Sequence, residues 1–333
     1  MVPIKIAVLG AGFGAKVALP VYCSMEEFEP IGVWSRSLDR AVGAAEQFDI
    51  RVGTSDLESL LTLEDLEAVH IAVPPGEQLR FVRAAVDRGL HVICEKPMGR
   101  DLGEAKAIDR AIRSAGVVGV VDFELRFRGS RQRVAELVQS IVGVPRSVVM
   151  SSVHVDHADS ASRPHTWVSE AAQGGGRIQA YGVHDLDLLL QMFPRVQGLA
   201  VAVDTAVKAR ETSSGDLRDV TSEDAYVMVL RLSTGGLVVA ALVSTARHAR
   251  GDLIEVHGDS GSVVLRPDGV VGWAEKGGDW NEDGPFDDSF ETAFRQVAAA
   301  FWRAVRELGP VDPSPNDAIR VHEIVEEMQV LAV

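Results

Sequence analysis

The chain has 333 residues, 46% of them hydrophobic and 24% charged, as expected for a globular protein with a large core and a length typical of two domains. Its 48 acidic and 33 basic side chains give a net charge of −15, which argues against a nucleic-acid or anionic-membrane surface, since both need positive charge. We therefore expect neither nucleic acid nor a membrane as a partner.

The amino-terminal stretch MVPIKIAVLG lacks the cationic lead, apolar core and cleavage site of a signal peptide, and no apolar run is long enough to span a bilayer. The two cysteines, Cys23 and Cys94, lie in apolar contexts and fit no disulfide or metal spacing. These features predict a cytoplasmic protein with buried free thiols.

The first part of the chain alternates strand-like and helix-like segments. Its strand patterns are short, rich in β-branched residues and nearly all apolar, which is typical of strands buried on both faces: IKIAVLG, PIGVWS, AVHIAVP, HVICEKP and a last strand VVGVV. Amphipathic helical patterns such as LDRAVGAAEQF and QLRFVRAAVDRG lie between them. The alternation predicts an α/β domain over residues 1–122, with a doubly wound parallel sheet.

From residue 123 onward the pattern changes to longer strands in which apolar and polar residues alternate. A helix, RQRVAELVQSIVG, comes first, and the segment RLSTGGLVV predicts a hairpin with Gly-Gly at its turn. Two helices close the chain, the second with Asn316 or Asp317 as its N-cap, after a Gly- and Asp-rich loop, EKGGDWNEDGPFDD. We predict an α+β domain over residues 123–333, with a large open, mainly antiparallel sheet.

The segment AVLGAGFGA follows the first predicted strand and matches the G-x-G-x-x-G/A pattern of dinucleotide sites. Gly10, Gly12 and Ala15 allow a tight turn and the close approach of a pyrophosphate to the following helix N-terminus. Phe13 and Gly14 complete the predicted loop. A glycine-rich turn without a ligand is the alternative.

The end of the second strand carries Ser35 and Arg36, where an NAD site would carry Asp or Glu for the ribose hydroxyl. A hydroxyl and a guanidinium suit a 2′-phosphate, so we predict NADP as the cofactor. If Arg36 instead stacks on the adenine, NAD would serve equally well.

The predicted strand HVICEKP ends in Glu95-Lys96-Pro97, at the edge where open α/β sheets bind ligands. A proline after Lys96 can hold a cis peptide bond and fix the direction of the lysine side chain. On composition alone, a solvated lysine is the other interpretation. We assign Glu95 and Lys96 to the cofactor site, together with Pro74 at the end of the predicted strand AVHIAVP.

These motifs together resemble the Gfo/Idh/MocA oxidoreductases, the glucose–fructose oxidoreductase and inositol dehydrogenase family. The resemblance rests on GAGFGA, SRS, EKP, LRFRG and GGGRIQAYGVHDLD, which is similar to the family signature G-G-G-x-x-x-D-x-G-x-H-x-x-D. It implies a Rossmann domain, a second domain that often forms a dimer or tetramer through its sheet, and NAD(P)-dependent chemistry on sugars, cyclitols and related small molecules.

The same resemblance implies roles for individual residues. Lys96 matches the catalytic lysine, His184 the histidine that meets the reacting oxygen, and Gly182 and Asp187 the other signature positions. The acid of the family signature falls on Ala180 in this chain. A histidine that is common in the family after the strand corresponding to AVHIAVP is replaced by Gln78.

Three further residues are candidates near the signature. Tyr181 shares a helical face with His184 and is a candidate catalytic donor, with packing as the alternative. Asp185 and Trp167 are candidate substrate ligands, against a solvated face and ordinary packing, and Lys96 and His184 would also bind substrate. His154, His157 and His165 show no metal-ligand spacing, so no metal is predicted.

The function predicted is an NADP-preferring dehydrogenase or ketoreductase for a sugar-like alcohol or ketone. Ala180 cannot accept a hydrogen bond, which favours a less polar substrate such as a deoxy or keto sugar. A non-catalytic cofactor-binding regulator or sensor of the same fold is the alternative, also favoured by Ala180. A non-sugar ketone or an enone is a third reading of the substrate.

Overall fold

The computed structural model describes residues 2–159 and 163–331, which form two compact units. The first unit is drawn from residues up to 127 together with 289–319, and the second from residues 128–288 and from 320 onward. No helix among the described residues combines the length and apolarity needed to cross a membrane.

The described part of the first unit contains a six-stranded parallel sheet. Its strands are β1 (Ile4–Leu9), β2 (Phe28–Trp34), β3 (Val52–Thr54), β4 (Ala68–Ile71), β5 (His91–Glu95) and β6 (Gly119–Asp122), in the spatial order β3-β2-β1-β4-β5-β6. The order reverses between β1 and β4, which is the switch point at which Rossmann sheets bind dinucleotides. The predicted parallel sheet is confirmed, and only the short β3 lacks a counterpart in the sequence pattern.

Helices connect these strands. They are α1 (Leu19–Cys23), α2 (Leu38–Gln47), α3 (Leu57–Leu61), α4 (Pro75–Val86) and α5 (Leu102–Ala115). The helices α2, α4 and α5 were predicted from the helical pattern, whereas the short α1 and α3 were not. A wide π-type turn over Gly14–Ala18 leads into α1. Pro20, at the start of α1, has no N–H to donate, so a regular α-helical bond cannot form there.

The second unit begins with α6 (Gly129–Leu137), which continues into a π-type turn over Val138–Val142, and later contains α7 (Val183–Met192). Its strands are β7 (Pro145–Val153), β8 (Val196–Asp204), β9 (Ala209–Glu211), β10 (Leu217–Asp219), β11 (Ala225–Leu232), β12 (Leu237–Val243), β13 (Gly251–Gly258), β14 (Gly261–Leu265), β15 (Val271–Glu275), β16 (Asn281–Asp283) and β17 (Gln329–Val330). The strands β9 and β10 form a separate hairpin.

The other strands form one large sheet in the order β16-β15-β14-β13-β7-β12-β11-β8-β17. Within the described residues its neighbours are antiparallel, except that β7 pairs with β12 and β8 with β17 in parallel. The predicted mainly antiparallel sheet is therefore confirmed, and the predicted Gly-Gly hairpin joins β11 to β12.

The last two helices are α8 (Phe290–Arg306) and α9 (Pro315–Glu327). The predicted N-cap of α9 at Asn316 or Asp317 is wrong, because Ser314 precedes the helix and its backbone N–H and hydroxyl both donate to the Asp317 carboxylate, at 2.8 and 2.9 Å. Proline then occupies the first helical position, where its missing N–H costs nothing. The loop predicted before α8 also contains the short strand β16.

The helix α8 supplies a large part of the first unit's core. Phe294, Val297 and Phe301 are fully buried in one apolar cluster with Ile4 of β1 and Tyr22 of α1. Residues that are distant in sequence therefore complete the interior of the parallel sheet.

We expect Phe301→Ala to lower the free energy of unfolding by about 3–5 kcal/mol, because the buried ring leaves a cavity that its neighbours only partly refill. Phe290→Ala is the matched control, since Phe290 begins the same helix and is 46% exposed. Chemical denaturation of both variants measures the difference. Equal losses would show that α8 does not anchor the core.

Candidate active site

The glycine-rich loop after β1 has the shape that a dinucleotide pyrophosphate requires. Gly10 has φ +132°, and a Cβ there would lie 2.2 Å from the carbonyl oxygen of Ala72. A Cβ at Gly14 would lie 2.6 Å from Val8. A Cβ at Gly12 would lie no closer than 3.9 Å to a neighbouring group, Nη2 of Arg40, so the loop is open at that residue. The tight turn at Gly10 and the open approach at Gly12 are those that the fingerprint assigns to its first two glycines, and Gly14 adds close packing against β1.

The structure separates the two residues predicted to meet the ribose. Ser35 is buried, and its hydroxyl accepts a hydrogen bond from the Ser37 N–H at 3.3 Å, whereas Arg36 is exposed. A second arginine, Arg40, donates to the carbonyl oxygen of Ala11 in the glycine loop, at 2.8 Å. Arg40 was not among the residues predicted to meet the cofactor. Its position in the first turn of α2, four residues after Arg36, could have indicated that it lies near the glycine loop.

Gln78, in α4, holds the Glu95-Lys96-Pro97 segment in place. Its amide nitrogen donates to the carbonyl oxygen of Glu95 at 3.0 Å, and its amide oxygen accepts from the N–H of Gly99 at 2.7 Å. Gln78 is fully buried, so the amide brackets both ends of the turn. The peptide bond between Lys96 and Pro97 is cis, and the Lys96 side chain is half-buried.

Pro74 lies at the adjacent strand end, immediately before α4, where its carbonyl oxygen accepts from Glu77 at 2.9 Å. Lys96, Pro74 and the glycine loop all follow the carboxyl ends of neighbouring parallel strands. The first unit therefore brings the predicted cofactor residues to one edge of its sheet.

In the second unit, the glycines before α7 pack closely against protein groups. A Cβ at Gly175 would lie 2.4 Å from the carbonyl oxygen of Trp167, and one at Gly176 would lie 2.3 Å from the carboxylate of Glu223. That carboxylate accepts from the N–H of Ile178 at 2.9 Å. The glycines thus make room for Glu223, which holds the entry to the π-type turn at Ile178–Gly182. Trp167 is half-buried in a short turn, Trp167–Ser169.

A buried arginine, Arg131 of α6, organises the residues around Tyr181. Its guanidinium donates to the Asp185 carboxylate at 2.9 Å, to the backbone carbonyl of His184 at 3.3 Å and to the Tyr181 hydroxyl at 3.4 Å. Arg131 is only 2% exposed, so these contacts are shielded from water. Arg131 was not predicted as a site residue, because its hydrogen-bond partners lie far from it in the chain.

The Tyr181 hydroxyl donates to Asp252 of β13 at 2.6 Å, and His154 contacts the other oxygen of Asp252 at 3.0 Å. Burial raises the pKa of Tyr181 well above its usual range, so the phenol keeps its proton. Burial alone would raise the pKa of Asp252, but the bond to His154, the charge of Arg131 and the Tyr181 hydroxyl hold it well below its usual value. The proton of Tyr181 is therefore directed to an ionised carboxylate.

Burial also raises the pKa of Asp185, to about 6, with the charge of Arg131 acting in the opposite direction. Asp185 is 3% exposed and points to Arg131, and its role as a substrate ligand stays a prediction. His184 is 2% exposed, with its ring centroid 6.3 Å from that of Tyr181, and Asp187 is also buried. The catalytic role of His184 likewise stays a prediction.

The remaining histidines of this region have separate partners. His157 contacts Arg163 and Arg177 at 3.1 and 3.2 Å, and burial, reinforced by the charge of Arg177, lowers its pKa to about 3. His165 contacts the carbonyl oxygen of Asp219 at 3.1 Å. These histidines therefore contact different groups.

Comparison with known proteins identifies the family. One family model, an oxidoreductase family with an NAD-binding Rossmann fold, matches residues 4–123, and the model of the Gfo/Idh/MocA C-terminal domain matches residues 132–264. An uncharacterised oxidoreductase of Synechocystis is 30% identical over 270 residues, which are 80% of this chain and 72% of that protein. The chain belongs to the Gfo/Idh/MocA oxidoreductase family.

Other Gfo/Idh/MocA relatives carry more specific names. An NADP-dependent D-xylose 1-dehydrogenase of Haloferax volcanii is 39% identical over 138 residues, 41% of this chain and 42% of that protein. The levoglucosan dehydrogenase of Pseudarthrobacter phenanthrenivorans is 24% identical over an alignment that covers 79% of this chain and 73% of that protein. A levoglucosan dehydrogenase structure with NADH and L-sorbose superposes with a TM-score of 0.84, at 21% identity and covering 98% and 97% of the two chains, and so shares the fold.

Membership of the Gfo/Idh/MocA family confirms the resemblance and the oxidoreductase class predicted from the sequence. The glycine loop fits the dinucleotide for which the amino-terminal family model is named, since Gly10 and Gly14 have no room for a side chain and Gly12 is open.

We expect Arg131→Met to lower the free energy of unfolding by about 3–5 kcal/mol, because it leaves buried carboxylates without their cation. Arg133→Met is the matched control on the same helix, since the Arg133 side chain is 30% exposed and pairs with exposed carboxylates. That variant should lose about 1 kcal/mol or less. Denaturant titration of both variants checks this, and similar losses would contradict a central role for Arg131.

Proposed function

We propose that the protein is an NADP-preferring oxidoreductase that acts on a sugar-like alcohol or ketone. The observation that carries the proposal is the placement of Lys96 at the carboxyl end of β5, in a turn bracketed by Gln78. The glycine loop lies at the same edge of the sheet, after β1, which is separated from β5 only by β4. When bound, the nicotinamide supplies or accepts a hydride. A lysine held at that edge can move the accompanying proton.

In this proposal Lys96 exchanges a proton with the reacting oxygen, and His184 hydrogen-bonds that oxygen. The Tyr181 hydroxyl donates to Asp252, so we propose that it orients the groups around it, and its role as a catalytic donor stays a prediction. A substrate hydroxyl near Ala180 would find no acceptor in that side chain. We therefore propose a deoxy or keto sugar as the substrate, and expect inositol and glucose to be poor substrates.

A second candidate is a non-catalytic sensor that binds the cofactor and has lost the reaction. Ala180, in place of the signature acid, is the observation that favours it. Such a protein would bind the cofactor and leave its absorbance unchanged with every alcohol and ketone tested.

We expect Lys96→Met to reduce turnover by about a hundredfold or more, because a general acid–base group is lost, while the cofactor Kd changes little. Lys106→Met, on α5, is the matched control and should keep native turnover. The measurement follows NADPH and NADP⁺ absorbance with deoxy keto sugars, D-xylose, levoglucosan, inositol and glucose. Native turnover by Lys96→Met would refute the assignment, and no turnover by the native protein on any compound would favour the sensor.

We expect NADPH to bind roughly ten- to a hundredfold more tightly than NADH, because a charge-assisted hydrogen bond contributes about 1.5–3 kcal/mol. Arg36→Ala and Arg40→Ala should each reduce that preference. Arg83→Ala, at the end of α4 and exposed, is the control and should leave it intact. Calorimetry with both cofactors decides, and equal native affinities would overturn the NADP assignment.

The face of the large sheet opposite its core also supports a proposal. It carries exposed apolar side chains where a solvated sheet face would be polar: Val227, Leu237, Val239 and Val243. We propose that a second copy of the chain covers this face, which gives the dimer or tetramer expected from the resemblance.

Light scattering should show an oligomer for the native protein and a monomer for the double variant Val227→Glu, Val239→Glu, because two buried carboxylates would oppose the contact. Leu217→Glu is the control, since Leu217 is 69% exposed on the separate hairpin. A native monomer would contradict the proposal.

A further inference from the structure

A chain of buried polar side chains runs behind the Glu95-Lys96-Pro97 segment of the first unit. The Tyr22 hydroxyl contacts Nδ1 of His70 at 3.1 Å, and Nε2 of His70 lies 3.4 Å from a carboxylate oxygen of Glu95. Asp122 is the register partner of Glu95 across β5 and β6. One ring nitrogen of His70 and one oxygen of each carboxyl lie within 4.8 Å of one another.

This cluster is buried and short of hydrogen-bond donors. Tyr22, His70 and Asp122 are fully buried, and Glu95 is 8% exposed. Among the described residues, Nε2 of His70, Oε1 of Glu95 and both carboxylate oxygens of Asp122 have no hydrogen bond of normal geometry. The ring of Phe294 stacks on His70 with centroids 5.4 Å apart and closes that side with apolar surface.

Two ionised carboxylates facing each other in such a place would repel each other and lack solvation. A single proton between them turns two opposed acceptors into a donor and an acceptor, which removes both problems. We propose that Glu95 and Asp122 share one proton at neutral pH and act, with His70 and Tyr22, as positioning residues beneath Lys96.

The charges that face the pair agree with this. Burial raises the pKa of Asp122 well above its usual range, and the charges of Glu95 and Glu124 raise it further, while Lys96 acts in the opposite direction. Burial also raises the pKa of the Tyr22 phenol and of the Cys94 thiol, so both remain protonated. The raised pKa of Asp122 favours a proton on the carboxyl pair.

The shared proton has a consequence for the strand end. The pair carries one negative charge beside Lys96 at neutral pH, and it gains a second when the proton leaves. The shared proton also joins the Glu95 side chain to Asp122 in the interior, while Gln78 holds the Glu95 carbonyl. The effect on turnover rests on the proposed function, but the protonation state does not.

Infrared difference spectroscopy of the native protein at neutral pH tests the protonation directly. We expect a carboxylic-acid C=O band that shifts in D₂O, disappears in Asp122→Asn and in Glu95→Gln, and remains in the control Asp87→Asn, whose residue is exposed on the same unit. Absence of the band from the native protein would overturn the proposal. So would one equivalent of tightly bound divalent metal in the purified protein, because the carboxylates would then be ionised.

The pH dependence of unfolding is the second test. Because the folded pKa of Asp122 lies above its unfolded value, stability is present at low pH and is lost as the pH rises through the folded pKa. As the pH rises above the ordinary range of a carboxyl group, the native protein and Asp87→Asn should therefore lose more stability than Asp122→Asn. Parallel curves for all three would overturn the proposal.

The turnover profile provides a readout that a purely structural role would not change. We expect the native kcat to show a transition as the pair loses its proton, and Asp122→Asn to lack that transition while its cofactor Kd stays near the native value. Identical profile shapes would overturn the positioning role. If the protein shows no turnover, the proposed function fails, and the infrared and unfolding tests still decide the shared proton.

Discussion

The buried guanidinium of Arg131 is the constraint on which the candidate site of the second unit depends. A cation taken out of water is stable only when its donors are all satisfied, and Arg131 meets this need through Asp185, the His184 carbonyl and Tyr181. Those contacts join α6 to the start of α7, and Tyr181 extends them to Asp252 on β13. The orientation of α7 is therefore fixed by directional polar bonds as well as by its leucines.

The first unit uses a neutral group for the same purpose. The Gln78 amide, which replaces a histidine common in the family, offers one donor and one acceptor to two backbone groups around Lys96. This arrangement positions the lysine without placing another charge beside it. The two units thus reach ordered polar sites by different chemistry, one through an ion pair and one through an amide.

Local sequence patterns predicted most of the strands and the glycine loop, because short-range sterics and burial determine these features. Gly10 is an example, since its role follows from a turn within one βα unit. The motifs at the strand ends indicated the family. Arg131, Arg40 and the His70–Glu95–Asp122 cluster were beyond such reasoning, because their partners are brought together by the fold: Arg131 and Asp185 are 54 positions apart. Ser35 shows that a nearby partner can also be missed. Its hydroxyl was predicted to meet the ribose phosphate, but it accepts a hydrogen bond from the backbone N–H of Ser37.

The return of α8 to the first unit bears on the order in which the chain can fold during synthesis. The parallel sheet is translated first, yet Phe294 and Phe301, which close its core, emerge from the ribosome only after eight strands of the nine-stranded sheet. Until then the nascent sheet exposes apolar surface around Ile4 and Tyr22. An amino-terminal fragment that ends before α8 would lack these rings, so it could not complete the core of the dinucleotide-binding unit.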